Sequence, residues 1–179
     1  MAGTVDDLYD LAVEYLNACA AAVATAPGGA IARAFVSPGL PALDCVPQLS
    51  VYVAAPVEAD TQTATPQLAG GLRVDRQGNV HLASLVAVVA RCSPTMNGSN
   101  QFPTPGQLNA ASREVLGDVW AVWNHVRAQY RANMIFTRPD GQRRELWFDP
   151  AVPLAISGGA AGWSVPIRVE LDGYGPVVP

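Results

Sequence analysis

The chain is 179 residues long, enough for one compact domain with a sizeable core, and its 11 basic against 15 acidic residues leave a formal charge of −4. That sign excludes a broad face gripping nucleic acid, which needs Lys and Arg to neutralise phosphates, and no apolar run reaches the roughly 20 residues that cross a bilayer. Charged residues make up only 15% against the roughly 25% usual for a soluble domain, a shortage that extensive contact between subunits relieves.

The opening MAGTVDDLYD carries acids where a secretory signal carries positive charge, so a cytoplasmic origin is expected. Thr4-Val5-Asp6-Asp7 reads as a helix start, with a capping hydroxyl and carboxylates beside the positive helix end. Leu8, Leu11, Tyr15, Cys19 and Ala22 recur at helical spacing, and the helix is predicted to end near Ala26, before Pro27-Gly28-Gly29. Pro38, Gly39, Pro41 and Pro47 punctuate the next stretch, which reads as an irregular connection from Ala30 to Pro47. In Gln48–Ala55, Leu49, Val51 and Val53 alternate with Gln48 and Ser50, the pattern of a half-buried strand. From Val57 to Gly78 the composition turns to Thr, Gln, Ala, Pro and Gly, predicting a long surface loop.

Val80–Cys92, VHLASLVAVVARC, is the most continuous β-branched stretch. Its apolar residues fall on both parities, Val80, Leu82, Val86 and Val88 against Leu85 and Val89, which predicts a central strand buried on both faces. Ser93–Gly106 is too rich in turn formers to be regular. Thr104-Pro105-Gly106-Gln107 then opens a helix with Thr104 as cap, Pro105 at the first helical position and Gln107 completing a capping box. Leu108, Ala111, Val115, Val119, Val122, Val126 and Tyr130 form its apolar stripe, widened by Leu116 and Trp123.

Met134–Thr137 and Arg143–Phe148 flank Asp140-Gly141 and read as a hairpin. A second pair follows, Val152–Ser157 and Trp163–Leu171 around the glycine turn from Ser157 to Gly162. In the last strand Trp163, Val165, Ile167, Val169 and Leu171 alternate with Ser164, Pro166, Arg168 and Glu170. Pro166 cannot donate to a ladder, which predicts an edge strand or a bulge. The expected fold is α+β: one domain over residues 1–179, a single mixed or antiparallel sheet packed by an N-terminal helix and one long helix, with long loops at 57–78 and 93–106.

Catalytic chemistry is not legible in this chain. Cys19, Cys45 and Cys92 are an odd number at unrelated spacings, and read as small buried thiols rather than a disulfide framework or a metal set. His81 and His125 read as core or surface residues without an orienting partner. Gly158–Gly162 lacks a phosphate-binding register and a lysine. No GxSxG, HExxH or CxxC occurs. The expectation is a protein that is not an enzyme and uses no cofactor or metal. Arg138, Arg143 and Arg144 form the one basic cluster, either a solvated turn balanced by Asp140 and Glu145 or an electrostatic contact with an acidic subunit or with DNA. Trp120 lies off the main stripe, as further core or as a patch kept for a neighbour.

Several stretches in order resemble one family. Val36-Ser37-Pro38-Gly39-Leu40-Pro41-Ala42-Leu43-Asp44-Cys45 leading into Gln48-Leu49, then Val89-Ala90-Arg91-Cys92-Ser93-Pro94, Pro103-Thr104-Pro105, and Gly158-Gly159-Ala160-Ala161-Gly162-Trp163 together look like the tail terminator proteins of long-tailed bacteriophages that infect actinobacteria. The resemblance implies a small α+β subunit that closes into a ring, commonly of six copies, on the head-proximal end of the tail tube. It implies a virion protein assembled in the host cytoplasm, whose partners are itself, the tail tube protein and the head completion or stopper protein, with DNA passing through unread. A head-to-tail stopper or adaptor of the same neck is the alternative. Trp120, Arg138, Arg143, Arg144, Pro166, Arg168, Phe102 and Met96 are the candidate subunit or partner contacts.

Overall fold

The structure is a computed structural model and describes residues 5–43, 46–60, 79–95, 102–157 and 159–171. Along these residues run α1 (Val5–Ala24), β1 (Arg33–Ser37), β2 (Gln48–Asp60), β3 (Asn79–Cys92), α2 (Pro105–Arg131), β4 (Leu146–Phe148), β5 (Val152–Ser157) and β6 (Ala160–Glu170). The six strands form one mixed sheet in the order β1-β2-β3-β6-β4, with β5 also beside β6. β1 runs parallel to β2 and every other pairing is antiparallel.

β3 holds the centre, as its two-parity pattern predicts. Ala83, Leu85, Ala87 and Val89 enter the core shared with both helices, while Leu82, Val86, Val88 and Ala90, on the opposite face, are also buried. Leu11, Tyr15, Cys19 and Ala22 of α1 are buried as their spacing requires, and the Tyr15 hydroxyl donates to the Val165 carbonyl at 2.8 Å. The predicted cap of α1, Thr4, lies outside the described residues. The cap of α2 is as predicted: Gln107 N donates to Thr104 Oγ1 at 3.3 Å, and Thr104 N to Gln107 Oε1 at 2.9 Å. Such a cap contributes about 1 kcal/mol. Across 27 residues of α2 the stripe enters the core only from Val115 onward, through Val122 and Val126; Leu108 and Leu116 stay exposed.

Several expectations are corrected. Arg33–Ser37 is not irregular: it forms β1, with Arg33 opposite Gln48 and Ser37 opposite Tyr52. Its order comes from pairing with β2, which the prolines after it conceal. β2 is not half-wet at its start, because Gln48 and Ser50 are fully buried together with Leu49 and Val51. The Gln48 amide is satisfied in part by the Ala42 carbonyl at 2.8 Å, in the connection that leads back from β1. The first four residues of the expected loop, Val57 to Asp60, continue β2, and 61–78 lie outside the described residues.

The expected hairpin around Asp140-Gly141 is reduced to one bridge, Thr137 to Arg143. Asn133 and Phe136 adopt positive φ, 58° and 55°, which no strand tolerates, so the chain turns and buries Phe136 instead. β4 then pairs with β6, Leu146 opposite Val169 and Phe148 opposite Ile167. The glycine turn is shorter than predicted, since β6 already begins at Ala160. A Cβ on Gly162 would stand 2.3 Å from the Val89 carbonyl oxygen, so the close approach of β6 to β3 requires glycine there.

Pro166 does not mark an edge. β6 lies between β3 on one side and β4 and β5 on the other, and Pro166 sits opposite Val86. In an extended strand the N and C=O of one residue point to the same side. The Pro166 carbonyl accepts from Asp149 N at 3.2 Å, so the missing N–H faces the break between β4 and β5 rather than β3. The lost donor therefore leaves the central ladder intact.

Candidate interaction surface

Among the described residues, three of the exposed large apolar side chains lie along α2, while Tyr9, Leu40, Val46, Met134 and Val152 are exposed elsewhere. Leu108, Leu116 and Trp120, spread over an arc of about 120° around the helix, are 44%, 55% and 70% exposed. Beside them a groove of about 380 Å³ opens between α2 and the β5–β6 pair, with Ala111, Val115 and Leu116 on one wall and Pro153, Leu154 and Trp163 on the other. None of the residues lining it is titratable. Its lining is mostly apolar, with the Ser93 and Ser112 side chains as its polar members. Phe102, just ahead of the capping box, is also exposed.

The arginine cluster divides. Arg138 Nη2 meets Glu170 Oε1 at 2.8 Å, and the mostly buried Arg144 donates from Nη1 to the Glu170 carbonyl at 3.3 Å. Glu145 N donates to Glu170 Oε2 at 3.1 Å and Glu170 N to the Glu145 carbonyl at 2.9 Å, so one β6 residue gathers the whole turn. Arg143 is exposed, its guanidinium 4.5 Å from the Tyr130 ring centre, a cation–π contact. Arg168 Nη2 pairs with Asp149 Oδ1 at 2.6 Å, and both are about one third exposed. Of the sequence candidates, Trp120, Phe102 and Arg143 stand at the surface, Arg138 and Arg144 converge on Glu170, Arg168 is paired within the chain, Pro166 lies inside the sheet, and Met96 lies outside the described residues.

A second groove, about 410 Å³, runs between α1 and the turn after α2, lined by Asp7, Asp10 and Glu14 with Pro139 and Arg144 opposite. Glu14 Oε1 accepts from Phe136 N at 3.0 Å. Burial raises the Glu14 carboxyl above its ordinary pKa, against the lowering pull of that N–H and of the Arg144 charge.

The sequence reading missed a buried ion pair. Arg91, at the end of β3, donates from Nε to Asp118 Oδ2 at 2.5 Å, from Nη1 to the Gly28 carbonyl at 2.9 Å and from Nη2 to the Gly29 carbonyl at 2.7 Å. One guanidinium thus ties β3, α2 and the exit of α1. Gly117 allows the same junction to close, because a Cβ there would stand 2.8 Å from Pro27 Cδ. Burial raises the Asp118 carboxyl above its ordinary pKa while Arg91 opposes the shift. The signal was present: Asp118 falls on the buried face of the stripe, between Val115 and Val122.

Cys19 is a buried free thiol as predicted, its pKa pushed up by burial. The reading of Cys92 as a buried thiol is corrected, since it is exposed and disulfide-bonded. His125 is half-buried on α2, and the side chain of His81 lies outside the description. Among the described residues no group of His, Cys, Asp and Glu is placed to hold a metal ion, and no helix is long and apolar enough to cross a membrane. No protein-family model and no curated protein matches this chain.

Proposed function

We propose that the chain is a structural virion protein, a tail terminator that closes into a ring, of six copies, on the head-proximal end of a phage tail tube. The name of this reading comes from the ordered resemblance of four sequence stretches to that family. The observation that carries its assembly half is the apolar face of α2, where Leu108, Leu116 and Trp120 stand exposed beside an uncharged groove. A face of this kind on a chain with 15% charged residues is better covered by protein than by water.

The sheet supports the same reading. Its two outer edges differ: β1 offers five residues uninterrupted by proline, while the opposite edge is broken between β4 and β5 and carries Pro153. Different edges favour a head-to-tail contact, which closes into a ring and leaves two unlike faces, one for the tube and one for the head side. In this reading the net charge of −4 per copy sums to about −24 around six copies, which lets DNA pass without adhering.

The experiment mixes the purified chain with cognate tail tube subunits during tube growth and, separately, with the portal and stopper proteins. A terminator halts growth and is found at tube ends. Binding to the portal side alone, with tube growth unchanged, assigns the chain to the stopper or adaptor instead.

A further inference from the structure

We draw no further inference here: the strongest candidate, the apolar groove between the N-terminal half of α2 and the β5–β6 pair, belongs to the surface already described, and nothing in the structure shows what covers it.

Discussion

Arg91 and Asp118 face each other across the β3–α2 junction through two hydrogen bonds, Nε to Oδ2 at 2.5 Å and Nη2 to Oδ1 at 3.1 Å, with both side chains nearly or fully buried. A buried pair of this kind is weak evidence for net stability, but removing one partner strands the other charge in an apolar setting. Arg91→Met or Asp118→Leu alone is expected to cost about 3–5 kcal/mol, and the double variant less than the sum of the two. Urea unfolding midpoints of the four proteins test this. Single variants within about 0.5 kcal/mol of the parent would mean that the pair does not hold the junction.

Glu14 predicts a pH dependence. Its folded pKa is raised by burial, so the folded chain binds the Glu14 proton more tightly than the unfolded chain does. The resulting stabilisation is complete below the ordinary glutamate pKa, about 4.3, and is lost as pH rises through the raised value. Glu14→Gln retains an acceptor for Phe136 N and cannot ionise. Relative to this variant, the parent should lose stability as pH climbs from about 4 towards neutrality. The opposite slope, or parallel curves, would contradict the assignment.

Trp120 separates assembly from folding. At 70% exposure its replacement by Ala should change stability by no more than about 0.5 kcal/mol while weakening self-association or tube binding. Leu85→Ala, at a fully buried position of β3, should instead cost about 2–5 kcal/mol. If Trp120→Ala assembles as the parent does, the α2 face is not the contact.

The cysteines give a chemical check. Cys92 should resist alkylation until a reductant is added, and Cys19 should react only once the chain unfolds. Peptide mapping after alkylation with and without denaturant and reductant reads both. Rapid labelling of Cys19 in the native chain would place it at the surface, against the core described for α1.

Local patterns made much of this fold legible. Valines on both parities marked β3 as central, and the Thr104–Gln107 box marked the start of α2 because each of those signals is contained within a few residues. β1 was hidden because Arg33 and Ala34 are exposed and its order depends on a parallel partner 15 residues away. The edge reading of Pro166 is corrected for a similar reason. Proline excludes a donor, but whether that loss falls on a paired side depends on where β4 stops and β5 starts.

The candidate surface was legible in the same measure. Trp120 stood off the stripe and is exposed, whereas Arg138 and Arg144 showed their charge in sequence but not their acceptor, Glu170, more than 25 residues on. Asp118 was passed over because a carboxylate on an apolar stripe has no visible partner until β3 is laid against α2.

The mass of the species formed by this chain with growing tail tubes, read by light scattering alongside tube length, bears most directly on the proposed role. A tail terminator gives a closed ring of six copies at tube ends and tubes that cease to lengthen. A chain that stays monomeric in the mixture while tubes grow on unchanged would contradict that role.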